Sequence, residues 1–530
     1  MTRREIEGWS IRWDEARAAA ARSEGWWGDE TLADLLPRIA AKDPARTLLV
    51  DGAHRVGAAQ LHARAQRLAG WFAARFAPGS VISFMLPNWH EAATIYCAAT
   101  YAGLVANPIL PSLRERDTRF ILEDCRSRAV FVPETFRRFD YARMLSRIAG
   151  EMEDAPEIVV VRGTGALEGA LSYADILAQA QPGAIHRPDA DAVRMVMYTS
   201  GTTGTPKGVL HTHNSLGALL RQIGRYWLVE PGDSFLVPSP ISHIGGSIYA
   251  FEAPLMLGSR AVLMDQWDAG EALALMQREA ITHMAGATPF LEQLLASAKA
   301  AGAHLPALKV FICGGASVPP ALIEEATVWF AHARVSRVYG STEVPVTSVG
   351  ALAQRGMAQA AHSDGRAGIA EVVIASDGEI RARGPQMLAG YIRQEHEAGA
   401  FDEAGFYRSG DQGTLDAEGF LTVTGRIKDL IIRNGENIAP KEIEDLLLAH
   451  PAIADVAIVG VPDVRTGERA CAVIVPVAGA SPDVAMLGEH LAALGVTRFK
   501  YPEAVVLRDA LPRNEAGKVL KHVLRAELAG

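Results

Sequence analysis

The sequence predicts an α/β protein with two parts. A large N-terminal domain has helix-covered parallel sheets and a β-rich subdomain, and a small α+β C-terminal domain follows it. Three observations predict this class: strand-like apolar runs alternate with amphipathic helical patterns, short-strand patterns replace them from about residue 365, and a new α+β pattern begins after residue 428. We therefore expect domains at residues 1–427 and 428–530.

The alternation of strands and helices is clear through most of the chain. The run VISFML precedes the helical pattern HEAATIYCAATYAGLV, and LKVFICGG precedes ALIEEATVWFAH. Continuous apolar runs of this kind are typical of parallel strands that are buried on both faces, so helices are expected on both sides of each sheet.

The C-terminal third has a different pattern. GEIRARGP, FYRSGD and GFLTVTGRIKDLIIRNGENI are typical of short strands with turns between them. KEIEDLLLAH then predicts a helix with Pro440 at its first position, where a missing backbone N–H is tolerated. DVAIVGVPD and CAVIVPVA predict strands, and VAMLGEHLAALG predicts a further helix, which together make an α+β unit.

Composition and charge exclude some function classes. The formal net charge is −9, and the sequence shows no basic domain, which argues against nucleic-acid binding. An acidic protein can still have a local positive pocket, so binding of ATP or CoA is not excluded. The four cysteines are far apart and form no zinc-ligand spacing, as expected in a reducing compartment. They are Cys97, Cys125, Cys313 and Cys471.

Targeting signals are not expected in this sequence. The N-terminus has no apolar core followed by a small-residue cleavage site, and no window has about 18 uncharged apolar residues. We therefore expect no integral membrane segment and a cytoplasmic location.

The segment YTSGTTGTPKGV, residues 198–209, has the composition of a phosphate-binding loop. Its glycines allow tight turns and close approach of the backbone to an anion, its hydroxyls add donors, and Lys207 adds a positive charge. It is not a Walker A loop, because Pro206 precedes the lysine and Gly208 follows it.

This segment resembles the phosphate loop of adenylate-forming enzymes, which include acyl-CoA synthetases, adenylation domains of peptide synthetases, and luciferases. The resemblance extends from about residue 30 to the end of the chain and is closest to medium-chain or alicyclic acid–CoA ligases. It implies that Lys207 is catalytic and that Thr202 takes part in a magnesium site. The loop residues expected at the nucleotide are Thr199, Ser200, Gly201, Thr202, Thr203 and Gly204.

The segment VYGSTE resembles a second element of the same family. The resemblance implies that Thr342 contacts the adenylate phosphate, that Glu343 helps to hold magnesium and that Tyr339 lies along the adenine. Gly340 and Ser341 are expected at the nucleotide as well. The magnesium role is physically reasonable, since a carboxylate beside a triphosphate needs a cation between them.

Two later motifs resemble the family's ribose and hinge elements. Asp411 in FYRSGD would accept hydrogen bonds from both ribose hydroxyls, although Ser-Gly-Asp is also common in ordinary β-turns. In GRIKDLIIRNGENIAPKEIE, Arg426 would contact the ribose, Lys428 would be the hinge about which a mobile small domain rotates, and Gly435 would line the approach of the thiol.

The last motif, PRNEAGKVLK, resembles the segment that carries the family's catalytic lysine, here Lys518. A flexible ammonium that reaches the carboxylate and the α-phosphate would offset charge in the transition state. The commoner form of this motif has Thr or Ser before the glycine. Asn514, Glu515 and Ala516 precede it here, but Gly517 and Lys518 are intact.

Weaker similarities complete the set. In PSPISHIGGS, His243 corresponds to a residue that gates the acyl site and is assigned a catalytic role, although a packed core histidine would look the same. In CGGAS, the residues expected along adenine and substrate are Gly314, Gly315 and Ala316. We interpret His211 and His213, which follow the phosphate loop, as structural.

The resemblance implies an ATP-dependent carboxylic acid–CoA ligase that uses ATP, Mg²⁺ and coenzyme A. The uncharged segment HIGGSIYAF favours a hydrophobic acid without an amine, which leaves medium-chain, alicyclic and aryl acids open. The alternatives are an enzyme that loads a carrier-protein phosphopantetheine in trans and a non-catalytic binding protein. No carrier element follows Lys518, which favours free CoA. A homodimer is one possible assembly.

Overall fold

The computed structural model describes residues 2–163, 167–199, 206–315, 318–434, 436–513 and 517–529. The strands are β1 (Thr2–Ile6), β2 (Trp9–Trp13), β3 (Thr47–Asp51), β4 (His54–Gly57), β5 (Val81–Phe84), β6 (Val105–Pro108), β7 (Ser127–Pro133), β8 (Thr135–Phe136), β9 (Phe139–Asp140), β10 (Glu157–Val161), β11 (Leu171–Ser172), β12 (Val193–Thr199), β13 (Lys207–Thr212), β14 (Ser234–Val237), β15 (Arg260–Leu263), β16 (His283–Gly286), β17 (Val310–Gly314), β18 (Arg334–Val338), β19 (Glu371–Ile374), β20 (Glu379–Arg383), β21 (Gly390–Tyr391), β22 (Tyr407–Leu415), β23 (Leu421–Arg426), β24 (Ile431–Arg433), β25 (Glu436–Ile438), β26 (Ile453–Asp463), β27 (Gly467–Pro476) and β28 (Ala504–Leu507).

The helices are α1 (Glu15–Ser23), α2 (Leu32–Lys42), α3 (Ala58–Ala73), α4 (His90–Tyr101), α5 (Glu115–Asp124), α6 (Tyr141–Gly150), α7 (Tyr173–Gln179), α8 (His213–Tyr226), α9 (Ile244–Ser247), α10 (Ala253–Met256), α11 (Ala269–Arg278), α12 (Thr288–Ala300), α13 (Pro320–Trp329), α14 (Ala358–His362), α15 (Pro440–Leu447), α16 (Val484–Ala493) and α17 (Lys521–Ala529). A π-helical turn, Ile248–Glu252, joins α9 to α10. Within the described ranges, we find no helix both long and apolar enough to span a bilayer.

Two large sheets form the body of the protein. The first has the strand order β11-β10-β7-β5-β6-β12-β13-β21, and the second has the order β18-β17-β16-β14-β15-β3-β4. Parallel pairing dominates both sheets, as the sequence predicts. Antiparallel pairing joins β12, β13 and β21 at one edge of the first sheet and β3 to β4 at one edge of the second, and sequence analysis did not predict it.

The main hydrophobic core lies between these two sheets. It includes Ile82 and Phe84 from β5 in the first sheet and Phe235 and Val237 from β14 in the second. Helix α4 passes through this core, and every one of its residues is buried. A helix that is covered on all sides belongs to the interior of a large protein, which is consistent with the apolar character of its sequence.

The C-terminal third forms two smaller sheets. Strands β19, β20, β22 and β23 make an antiparallel sheet, and β24 to β28 make a second sheet in which β28 runs parallel to β27. A separate core that includes Ile431, Ile458 and Leu487 packs against α15 and α16. Pro440 occupies the first turn of α15, as expected. The predicted α/β fold class is therefore confirmed.

A buried ion pair connects the phosphate-loop strand to the π-helical turn. Arg194 on β12 and Glu252 at the end of that turn are 3% and 2% exposed, and their Nε and Oε1 atoms are 3.1 Å apart. The hydroxyl of Tyr96 donates to the same carboxylate oxygen and accepts from Arg194 Nε at 2.8 Å. The pair therefore ties α4, β12 and the segment that follows His243 into one unit.

We expect the substitution Glu252→Ala to lower the free energy of unfolding by about 3–5 kcal/mol, because it leaves the buried Arg194 guanidinium without its counter-charge. Urea denaturation followed by circular dichroism measures this change. The exposed pair formed by Arg147 and Glu115 supplies the control, and Arg147→Ala should change stability little. Similar effects of the two substitutions on stability would contradict the role of Glu252 as the counter-charge of the buried Arg194.

Candidate active site

The predicted phosphate loop connects two antiparallel strands. Thr199 at the end of β12 and Lys207 at the start of β13 are register partners, so these two strands form a hairpin. The expected residues Ser200, Gly201, Thr202, Thr203 and Gly204 lie outside the described residues. The ammonium of Lys207 lies 5.6 Å from the ring centroid of Tyr391, which belongs to the neighbouring strand β21.

Glu343 is a buried carboxylate beside this hairpin, with 8% of its surface exposed. The hydroxyl of Tyr391 donates to Glu343 Oε1 at 3.2 Å, and the backbone N–H of Leu388 donates to the Glu343 carbonyl at 2.7 Å. Burial, together with the Glu343 charge, raises the pKa values of Tyr391 and Tyr407, so both hydroxyls keep their protons. Glu343 is thus held by tyrosine hydroxyls and not by a described lysine or arginine.

This environment suits a hard cation. Carboxylate oxygens are preferred ligands of Mg²⁺, and a buried carboxylate is costly unless a positive charge or several donors accompany it. The turn before Glu343 is fixed locally, because Ser341 Oγ accepts the N–H of Val344 at 3.1 Å. A Cβ on Gly340 would lie 2.7 Å from the backbone nitrogen of Val346, so this position requires glycine.

Asp411 contacts two other predicted site residues. Its Oδ2 accepts a hydrogen bond from the Tyr339 hydroxyl at 2.8 Å, and its Oδ1 lies 3.0 Å from Arg426 Nε. The pairing of β22 with β23 makes Asp411 and Arg426 register partners, which explains why they meet. Burial and the Asp411 charge raise the pKa of Tyr339, so its hydroxyl remains a donor.

Lys518 lies in the electrostatic field of the same pair. Burial is the largest cause that lowers its pKa from 10.5 to about 8; repulsion by Arg426 and Lys428 adds to it, and Asp411 opposes it. Gly517 has a φ of +76°, and a Cβ there would lie 3.3 Å from Cγ of Pro289 in α12. Gly517 therefore packs closely against α12, and the charge of Asp411 favours the ammonium form of Lys518.

The predicted hinge lies between the two C-terminal sheets. Lys428 occupies a 3₁₀ turn, Ile427–Asp429, between β23 and β24. Asp429, the next residue, lies 2.9 Å from Arg525 of α17. Gly435, which the resemblance places at the thiol approach, lies outside the described residues.

The glycines after β17 allow close backbone packing. A Cβ on Gly314 would lie 2.8 Å from the carbonyl oxygen of Val338, and Gly315 has a φ of +84°, which only glycine adopts without strain. Ala316 lies outside the described residues. The structure thus explains the glycines at this strand end by close backbone packing and by a positive φ. It does not show which ligand they would contact.

His243 lies immediately before α9, and burial lowers its pKa, so the ring is neutral. Its buried Nε2 has no hydrogen-bond partner among the described residues. A Cβ on Gly245 would meet no atom within 4 Å, whereas one on Gly246 would lie 2.1 Å from the carbonyl oxygen of Pro240. A buried polar atom without a partner among the described residues is consistent with a ligand-facing position.

Sequence analysis missed Tyr391 and Tyr407, because no motif marks them and they reach Glu343 only through the pairing of distant segments. It interpreted His211 as structural but did not predict its contact, in which His211 Nε2 lies 2.7 Å from the carbonyl oxygen of Thr342. Burial lowers the pKa of His211 to about 4, so the ring is neutral near pH 7. Its position four residues after Lys207 was the available signal.

A second acidic group is Asp51, His90 and Glu91, whose ligand atoms lie within 4.8 Å of one another. Arg162 already supplies the positive charge there, because it donates to both carboxylates and its Nε lies 2.8 Å from Glu91 Oε1. We therefore do not assign a metal to this group.

Comparison with known proteins identifies the family. The AMP-binding enzyme model matches residues 36–392, and the model of the AMP-binding enzyme C-terminal domain matches residues 442–518. The chain is similar to the medium-chain fatty-acid–CoA ligase of Escherichia coli strain K12, with 35% identity over 98% of this chain and 94% of that protein.

The 3-[(3aS,4S,7aS)-7a-methyl-1,5-dioxo-octahydro-1H-inden-4-yl]propanoyl:CoA ligase of Rhodococcus jostii strain RHA1 is 32% identical over 94% of this chain and 98% of its own. Among solved structures, ATP-bound MatB from Rhodopseudomonas palustris matches with a TM-score of 0.82 and 28% identity, covering 94% of this chain and 99% of that one. These similarities confirm the resemblance that the motifs predict. The chain therefore belongs to the family of AMP-binding enzymes.

Proposed function

We propose that this protein is an AMP-forming carboxylic acid–CoA ligase that acts on a hydrophobic acid. The observation that carries the proposal is that residues of separate motifs come together in one site. The series begins at Lys207 over the Tyr391 ring and continues through the hydrogen bond from Tyr391 to Glu343; the charges of Glu343 and Asp411 then both act on Tyr407. The series ends where Asp411 meets Arg426 beside Lys518.

The first half-reaction transfers AMP to the acid. A carboxylate oxygen of the acid attacks the α-phosphorus of ATP, the new oxygen–phosphorus bond forms, and the bond to pyrophosphate breaks. Lys207 and Lys518 would offset the negative charge on the phosphates, while Asp411 and Arg426 would hold the ribose. Mg²⁺, held by Glu343 and Thr202, would supply further charge neutralisation when it is bound.

The second half-reaction transfers the acyl group to CoA. The thiol sulfur attacks the carbonyl carbon of the acyl-adenylate, loses its proton, and releases AMP as the leaving group. We place the boundary between the two domains at residues 427 and 428, with Lys428 as the hinge. Rotation about this hinge would withdraw Lys518 and bring Gly435 to the site, and closure would protect the adenylate from water.

The proposed substrate is an acid without an amine, namely a medium-chain, alicyclic or aryl acid. Glu252 is the one carboxylate in the segment from His243 to Glu252, and Arg194 and Tyr96 already occupy it, so it is not available to bind an ammonium group. The medium-chain and alicyclic acids named for the two relatives agree with this. We place the reaction in the cytoplasm, and a homodimer remains one possible assembly.

A pyrophosphate-release assay over a panel of these acids, with and without CoA, tests the proposed function. We expect release with at least one hydrophobic acid and an increase when CoA removes the adenylate. Absence of release with every acid would contradict the proposal. If CoA does not increase pyrophosphate release but a phosphopantetheinylated carrier protein does, the carrier-loading alternative is favoured.

We expect Lys518→Ala to slow adenylate formation by about 100-fold or more, because the ammonium stabilises charge only in that step. Thioester formation from supplied acyl-adenylate should remain near the wild-type rate, since Lys518 is withdrawn by then. Rapid-quench measurements of each half-reaction check this. Lys441→Ala, on α15 where Lys441 pairs with Asp445, is the control and should change neither step. Equal loss of both steps in Lys518→Ala would rule out the assigned role.

The pKa of Lys518 predicts an alkaline limit for adenylate formation. Burial and nearby cations lower this pKa to about 8, so the required ammonium is present below pH 8 and is lost as the pH rises through it. We expect kcat/KM for adenylate formation to fall above about pH 8. In Lys518→Arg, whose guanidinium stays charged, the remaining activity should show no such fall. If kcat/KM still fell above about pH 8 in Lys518→Arg, a group other than Lys518 would be responsible for the fall.

We expect Asp411→Ala to weaken ATP binding by roughly 10- to 100-fold, since charge-assisted hydrogen bonds to the ribose contribute about 1.5–3 kcal/mol. Calorimetry with ATP and with 2′-deoxy-ATP measures this. The wild type should prefer ATP, and Asp411→Ala should bind the two nucleotides about equally. A preference for ATP that survives in the variant would show that another group contacts the ribose.

A further inference from the structure

His211 joins the phosphate-loop hairpin to the turn that carries Glu343. It lies on β13, four residues after Lys207, and its side chain is fully buried. Its Nε2 lies 2.7 Å from the carbonyl oxygen of Thr342, which is the oxygen of the peptide bond that leads into Glu343. Its Nδ1 lies 3.2 Å from Ser215 Oγ in the first turn of α8.

The partners of His211 determine its tautomer. A carbonyl oxygen only accepts hydrogen bonds, so Nε2 carries the proton and donates to Thr342. Nδ1 is then an acceptor that lies 3.2 Å from the Ser215 hydroxyl, which has the Thr212 carbonyl oxygen as a second acceptor at 3.2 Å. Ser215 Oγ itself accepts the backbone N–H of Thr212 at 2.9 Å. The ring is therefore oriented from α8 and directs a single donor at the Thr342 carbonyl.

The backbone around Glu343 is held from both sides. His211 binds the carbonyl before Glu343, and the N–H of Leu388 binds the carbonyl of Glu343 itself at 2.7 Å. The Tyr391 hydroxyl then binds the side chain. Of these anchors, His211 alone belongs to the strand that also carries Lys207. It thus connects the backbone of the Glu343 turn directly to the strand that carries Lys207.

We propose that His211 is a positioning residue that aligns Glu343 with the phosphate hairpin for binding of the metal–nucleotide complex. This inference rests on the proposed function, in which Glu343 holds the metal. An apolar side chain at residue 211 could fill the space but would leave the Thr342 carbonyl buried without a donor. The turn would then rotate to satisfy that carbonyl, and Glu343 would leave its alignment.

The test compares nucleotide binding with and without a metal, which separates positioning from general stability. Calorimetry measures the affinity for ATP in Mn²⁺ and in EDTA, and their ratio is the gain that the metal supplies. We expect His211→Leu to reduce this gain by about tenfold to hundredfold, the cost of a lost hydrogen bond to a buried group. His211→Gln, whose amide nitrogen takes the position of Nε2, should restore most of the gain.

His283 provides a matched control. It is a buried histidine on β16 whose Nε2 lies 2.9 Å from the carbonyl oxygen of Trp227, away from the phosphate hairpin. His283→Leu should lower thermal stability as His211→Leu does, but it should keep the wild-type gain from the metal. If His211→Leu does not fold, His211→Asn serves in its place, because its shorter amide can reach Ser215 but not Thr342.

The outcomes are distinct. The inference would be overturned if His211→Leu or His211→Asn kept the same metal-dependent gain in ATP affinity as the wild type. It would also be overturned if His211→Gln lost as much of that gain as His211→Leu. Glu343→Gln separates the inference from the proposed function on which it rests. If Glu343→Gln also keeps the full gain while the wild type still forms adenylate, the metal role of Glu343 fails and the inference falls with it.

Discussion

The Asp411 carboxylate is the interaction on which the site depends. It lies at the meeting point of the loop after β18, which supplies Tyr339, and the strand β23, which supplies Arg426. Its charge also favours the charged form of Lys518, as that of Asp429 does to a smaller extent. Without it, the cations at residues 426, 428 and 518 would face one another across a partly buried space. Positive charge that is held in place in this way is preorganised to bind an anion.

The mixed pairing in the first sheet explains how the rest of the site forms. A purely parallel sheet would place the phosphate loop at a strand-to-helix turn, whereas here β12 and β13 form a hairpin and α8 follows the second strand. The reversed strand β13 offers an edge to which β21 adds. That addition brings Tyr391 beside Lys207 and Glu343, so one antiparallel contact joins residues about 180 positions apart in sequence.

Much of this architecture could be predicted from the sequence. Apolar runs indicated the buried strands, and Pro440 indicated the start of α15. The resemblance of the motifs to the family implied that Lys207, Asp411 and Lys518 belong to one site, and this stays a prediction. The antiparallel edge could not be predicted, since β21 has only two residues and no apolar alternation to reveal it. The contacts of Tyr391 and His211 with the Glu343 turn were likewise hidden, because a tyrosine or histidine in a strand has the same local pattern whatever it contacts in the fold.

Three acidic side chains in this region differ in how their charge is compensated. The difference distinguishes a carboxylate that stabilises the fold from carboxylates of the proposed active site. Glu252 is paired with Arg194 in the core, so its charge is used to hold elements together. Asp411 pairs with Arg426 at a partly exposed edge, where a ribose could share it. Glu343 is met by tyrosine hydroxyls and by no cation among the described residues. Its charge is thus compensated among the described residues by hydroxyl donors alone, which is consistent with the cation that we propose for Glu343.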